Sequence, residues 1–171
     1  DLIEHTEENG DSISTKHPDQ QLFDKIEKFK VEDTGEVVDL GYLKGVVSLY
    51  QERLKKLSEA PELVDFFFKE ELDYEKDLLP WKEMSDSDLV KMFDKLEKLL
   101  NDIDNWKEKK IEEVLTPASE EVGDRGKMLW PLRAALTGKE ESAGPFEIAA
   151  VLGKEKTLKR IEEARNKVTN N

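Results

Sequence analysis

The chain has no cysteine, which excludes disulfides, thiol nucleophiles and thiolate metal sites. Its two histidines, His5 and His17, both sit in a polar N-terminal stretch, so a histidine-based metal site has nothing to build on. No run approaches the roughly 20 apolar residues of a membrane helix, and no apolar signal core opens the chain. A cytoplasmic protein with no membrane partner is expected. A phosphate-cradling loop needs closely spaced glycines before a helix. Thr137-Gly138-Lys139 has the glycine–lysine pair but no earlier glycine at the right spacing and no hydroxyl residue after the lysine. Carboxylates are plentiful, yet on amphipathic helices they form the solvated face. Nothing in these residues assembles a catalytic centre or holds a cofactor.

Charge is what the chain has in quantity. Charged residues make up 39% and hydrophobic residues 37% of 171 positions, against about 25% and roughly 45–50% in an average globular domain. That balance describes a helical protein with a thin core and a heavily solvated surface. The net charge of -13 repels phosphate over the chain as a whole. A general DNA- or RNA-coating protein is excluded, and a nucleic-acid partner has to meet a local basic patch.

Residues 1–18 are polar, mixed in charge and poor in apolar side chains, and read as a leader or linker. The chain opens on Asp1 rather than methionine, as expected of a piece of a longer protein. Leu22, Phe23, Ile26 and Phe29 are spaced for one face of a helix, ended at Thr34-Gly35-Glu36. A longer amphipathic helix is expected from Leu40 to Leu57, with Arg53, Lys55 and Lys56 on its polar side. Phe66-Phe67-Phe68 form an apolar knot, of which some rings plug a junction between helical layers. Ser85-Asp86-Ser87-Asp88 offers side-chain acceptors for a helix start, followed by Leu89, Met92, Phe93, Leu96, Leu99, Leu100 and Ile103. Asp104 or Asn105 is expected to cap the next helix, and Pro117 and Ser119 to open another segment. Trp130 to Gly138 reads as a short apolar helix carrying Arg133, and a polar turn with Ser142 and Pro145 leads to a second. A final helix after Leu152-Gly153 places Leu158, Ile161, Ala164 and Val168 on one face, with Lys154, Lys156, Lys159 and Arg160 on or beside the other. There is no internal repeat and no strand pattern of useful length, so the fold class is all-α.

One stretch carries a resemblance. Pro131-Leu132-Arg133-Ala134-Ala135-Leu136-Thr137-Gly138, four residues, Gly144, Phe146-Glu147-Ile148 and then Leu152-Gly153-Lys154-Glu155 resembles the C-terminal end of bacterial glutamyl-tRNA synthetases in order, spacing and chain-terminal position. A weaker similarity runs upstream through Leu49-Tyr50-Gln51-Glu52-Arg53-Leu54 to Phe66-Phe67-Phe68. Together they cover roughly residues 40–165.

The resemblance implies two packed helical subdomains that bind an anticodon, here residues 19–70 and 71–171. It also implies a class I parent enzyme that joins glutamate to its tRNA using ATP and magnesium in a Rossmann-type catalytic domain. Neither the His-x-Gly-His-like nor the Lys-Met-Ser-Lys-Ser-like signature of that domain is present, so the chain alone is expected to be inactive. Its partners are then the anticodon loop of glutamate tRNA and the remainder of the synthetase, and not DNA.

Two arginines inherit roles from the family. Arg53 corresponds to the one that reads the last anticodon base, and Arg133 to a second anticodon contact. The competing readings are a solvated helix arginine for Arg53 and a partner of a nearby carboxylate for Arg133. The physical chemistry of base reading agrees: RNA is read mostly at unstacked loop bases, and the rigid five-donor fork of arginine suits acceptor-rich base edges.

Ser142 corresponds to a hydroxyl contact and Pro145 to an apolar base contact. The usual Ser-Pro-Gly-x-Phe turn is here Ser142-Ala143-Gly144-Pro145-Phe146, with proline moved past the glycine, where it also removes a backbone donor. Lys139, Lys154 and Arg160 are candidate phosphate contacts. Phe146, Leu132, Leu136 and Ile148 are assigned to the core, and Trp130 to a buried position before a helix. The alternative function is a helical protein–protein module without tRNA binding.

Overall fold

The computed structural model describes residues 28–30, 37–51 and 60–170. The chain divides into two compact units, Asp1–Leu43 and Lys44–Asn171. In the first, strands β1 (Lys28–Lys30) and β2 (Val37–Asp39) pair antiparallel, with Phe29 opposite Val38. Phe29, read from its spacing as helical, is therefore in a strand. A three-residue ladder needs no long alternating pattern, which is why the sequence carried no sign of it. Asp39 ends β2 and starts helix α1 (Leu40–Tyr50), its Oδ1 accepting the Tyr42 amide at 2.7 Å. That bond supplies one of the four amides a helix start leaves unpaired. The continuation expected to Leu57, including Arg53, and the leader 1–18 lie outside the described residues.

The second unit holds α2 (Ala60–Val64), a 3-10 turn at Asp65–Phe68, a second at Lys76–Leu78, and five longer helices. These are α3 (Asp86–Asn101), α4 (Glu108–Glu121), α5 (Gly126–Thr137), α6 (Pro145–Leu152) and α7 (Lys154–Thr169). Ser85 caps α3 by accepting the Asp88 amide at 3.2 Å, as its sequence predicts. By contrast α4 starts at Glu108, without a side-chain cap. Trp106 precedes it and donates its indole N–H to the Ala149 carbonyl at 2.9 Å. Pro117 does not open a segment but lies inside α4, where burial of Ile111, Leu115 and Ala118 outweighs the lost intrahelical bond.

Helices α3 and α7 form the central seam, with α5 packed against both. Leu89, Phe93, Leu96 and Leu100 of α3 meet this core, as do Leu132 and Leu136 of α5 and Ile161 and Ala164 of α7, all at 1% exposure or less. Each large side chain so buried contributes roughly 1.5–3 kcal/mol. Phe66 and Phe67 are buried with centroids 4.3 Å apart, and Tyr50 meets Phe67 edge-on. This unit includes position 70, the expected boundary between two packed subdomains. The aromatic knot ahead of that position shares its core with the helices behind it.

Arg160 corrects the sequence reading most sharply. It is 1% exposed and donates to the carbonyls of Leu136 and Phe66 at 2.5 Å and of Lys69 at 2.8 Å. It is therefore a scaffold residue and not a phosphate contact. Thr157, Arg160, Ile161, Ala164 and Val168 form one buried stripe of α7 at helical spacing, and Arg160 lies on it. The carbonyls it meets close α5 and the first 3-10 turn, where the partial negative charge of helix ends gathers.

Candidate nucleic-acid interface

The sequence of α5 places Arg133 one turn before the helix end. Gly138 closes that helix in the left-handed conformation (φ 65°), its amide bonding to the Ala134 carbonyl at 2.8 Å. Thr137 Oγ1 donates to the Arg133 carbonyl at 2.8 Å and accepts the Lys139 amide at 3.1 Å. The turn that follows is therefore tied to the arginine's own helix. At its far end Glu147 Oε2 accepts the Gly144 amide at 2.8 Å, and Pro145 occupies the first position of α6. A first-turn amide has no intrahelical partner, so moving proline past the glycine costs no bond within the helix.

Arg133 and Ser142, nine positions apart, border one cavity of about 320 Å³ with Tyr50, Leu63 and Glu141. One Arg133 Nη donates to the Glu140 carbonyl at 2.6 Å, and the guanidinium carbon lies 4.5 Å from the Trp130 ring centroid. Ser142 Oγ donates to the Ala143 carbonyl at 3.0 Å, and the Ala143 amide donates to Tyr50 Oη at 3.3 Å. The cavity therefore combines a cation, hydroxyls and an apolar wall, the mix that holds a flat polar ring by its face and edge. Tyr50 and Leu63 were not among the site candidates, because one reads as the apolar face of a helix and the other as part of the apolar knot before Phe66. Pro145 does not border this cavity, and Arg53 lies outside the described residues.

The lysines expected at phosphate are engaged within the unit. Lys139 Nζ lies 2.7 Å from Asp65 Oδ1 and also meets the Glu62 carbonyl. Burial pushes the Asp65 carboxyl up, but hydrogen bonds from Lys139 and Lys69 and their charges outweigh it and hold it below its ordinary value. Lys154 Nζ donates to the Asn101 and Ile103 carbonyls at 2.7 and 2.9 Å, capping the end of α3. Leu132, Leu136 and Ile148 are fully buried, whereas Phe146 and Trp130 are half-buried.

A larger cavity of about 760 Å³ lies beside the N-terminal ends of α3 and α5, with Trp81, Met84, Met92 and Val122 in its wall. Lysines 82, 91, 95 and 127 line it, but Asp124, Asp88 and Glu121 sit within ion-pair distance of the first three. None of the sequence candidates among the described residues lines it. Size alone does not make it the site.

The second unit is helical among its described residues, with Arg133 bordering a cavity near the end of α5. Residues 21–165 match the family described as "Anticodon binding domain", and the chain belongs to that family. It is 37% identical over 161 residues to a glutamate–tRNA ligase of Clostridium tetani, covering 85% of this chain and 32% of the relative. It is also 37% identical over 124 residues to one of Roseiflexus castenholzii, covering 72% and 24%. A crystal structure of a glutamate tRNA ligase from Elizabethkingia meningosepticum in complex with its amino acid superposes with a TM-score of 0.68 at 22% identity. That match covers 85% of this chain and 28% of the other. The chain thus spans about a third or less of the relatives' length. Among its described residues no helix is long and apolar enough to cross a membrane.

Proposed function

We propose that the chain reads the anticodon of glutamate tRNA as part of a glutamate–tRNA ligase. Membership of the anticodon-binding family favours this over the protein–protein alternative. The observation that carries the site is the convergence of Arg133 and Ser142 on one cavity with Tyr50. There an unstacked loop base lies against Leu63 while Arg133 donates to its acceptors, and the buried Tyr50 closes the cavity floor. Cytosine offers a ring nitrogen and a carbonyl side by side, whereas guanine's Watson–Crick edge carries donors that would face donors. Discrimination follows because the wrong base leaves polar groups unpaired. Pro145, outside this cavity, offers its apolar contact to a neighbouring base. Arg53 reads the last anticodon base and separates glutamate from glutamine tRNA.

Aminoacylation, with ATP and magnesium, belongs to a Rossmann-type catalytic domain of the longer protein, which acts in the cytoplasm. The chain by itself positions tRNA without joining glutamate to it. With a net charge of -13 its own affinity is weak. Lys139 and Lys154 contribute to phosphate only by exchanging an internal partner.

Fluorescence anisotropy with a glutamate anticodon stem–loop, at two salt concentrations, tests the reading. Binding that weakens with salt and falls when an anticodon base is exchanged supports it. Equal binding of all exchanged loops refutes it. In the full ligase, an Arg53→Ala variant with an unaltered preference between glutamate and glutamine tRNA would remove Arg53 from this role.

A further inference from the structure

Arg133 is not held by hydrogen bonding alone. Its guanidinium carbon lies 4.5 Å from the centroid of Trp130, three residues earlier on α5 and so on the same helix face. That indole is itself immobilised. Its Nε1 donates to the Leu78 carbonyl at 3.0 Å, and its ring packs on Trp81 with centroids 5.3 Å apart and planes tilted 44°. Trp81 in turn donates Nε1 to Asp124 Oδ2 at 3.0 Å. It lies so close over Gly126 that a Cβ there would collide with its Cε2, Nε1 and Cζ2 atoms. Gly126, Trp81, Trp130 and Arg133 therefore form one packed row that ends at the small cavity.

A carboxylate would hold an arginine by occupying two of its five donors and cancelling its charge. An indole face attracts the cation through its quadrupole and takes no donor. We propose that Trp130 is the positioning residue of the base-reading arginine, fixing the plane of the Arg133 guanidinium while leaving its donors and its charge to the RNA. This rests on the reading that Arg133 contacts an anticodon base. The Glu140 carbonyl takes one Nη, and the ring sets the tilt of the fork about that bond. Reading a base edge demands that fixed tilt, because a fork free to rotate satisfies acceptors of more than one base.

The test uses the 171-residue chain and anticodon stem–loops with each anticodon base exchanged singly. Arg133→Ala identifies the anticodon position at which discrimination is lost. Trp130→Leu is expected to lose about tenfold in discrimination at that same position, between what an exposed and a desolvated cation–π contact provide. Its salt dependence stays that of wild type, because no charge is removed, and Trp130→Phe, which keeps a ring, recovers most of the discrimination. A folded Trp130→Leu variant that discriminates like wild type overturns the proposal while leaving the role of Arg133 intact. Wild type that distinguishes no base overturns both. Should Trp130→Leu not fold, the RNA-free wild type decides by NMR: Arg133 side-chain protons are expected upfield from the indole ring current, and their absence there overturns the proposal.

Discussion

Arg133 and Arg160 belong to the same compact unit and both donate to backbone carbonyls, yet they sit in opposite circumstances. Arg160 is 1% exposed and meets three carbonyls from the ends of two helical elements, α5 and the first 3-10 turn. Arg133 is half-exposed, meets one carbonyl and rests on an aromatic face beside a cavity. An arginine whose donors are taken up by buried carbonyls is a staple. One whose charge is held by a ring keeps donors for a ligand. Residue type and helix position do not separate the two; what the fold does with each donor does.

The comparison can be broken at either end. The largest effect is expected for Arg160→Ala, which leaves three carbonyls without their charge-assisted donor and lowers stability by about 3–5 kcal/mol. Urea unfolding measures it as a fall in midpoint at unchanged slope. A variant of wild-type stability with weakened RNA binding would return Arg160 to the phosphate role. Arg133→Ala should do the reverse, costing about 1–3 kcal/mol of stem–loop affinity and well under that in stability. Equal losses of both would make the two arginines alike.

Gly138→Ala sharpens the comparison at the loop between them. Its positive φ and a Cβ placed 3.0 Å from Tyr74 Cδ1 predict about 1–2 kcal/mol of destabilisation, read by thermal unfolding. The smallest effect concerns pH. Burial first, then the Glu163 charge, raises the Tyr74 phenol to about 12 despite the opposing Arg160. A raised folded value means stability fully present below the ordinary tyrosine range of about 10, and lost as pH rises through the folded value. Alkaline unfolding should therefore begin later in Tyr74→Phe than in wild type, and ultraviolet titration should show one late phenol.

Much of the second unit was legible because helix signals are local. Ser85 with Asp88, Gly138 after Thr137, and Gly153 before Lys154 each announce an end through backbone chemistry that a few residues determine. What was misread had its cause elsewhere. Phe29 keeps a helical spacing, but pairing of Lys28–Lys30 with Val37–Asp39 overrides it. Pro117 reads as a boundary, yet packing on both sides carries α4 through it. Lys139 and Lys154 look like surface cations until Asp65 and the end of α3 take them.

By itself the sequence determined the helical class, the order of the last five helices and the motif that marks an anticodon-binding region. The class and the helix order follow from periodicity, caps and spacing, all properties of neighbouring residues, and the motif from its resemblance to a known family. Only the tertiary structure decided which arginine was consumed inside and which was left beside a cavity, and that Tyr50 would meet Ser142 there. The physical reason is that a hydrogen-bond donor is consumed by whatever carbonyl folding brings to it. Those carbonyls come from helix ends 24 to 94 residues away in sequence.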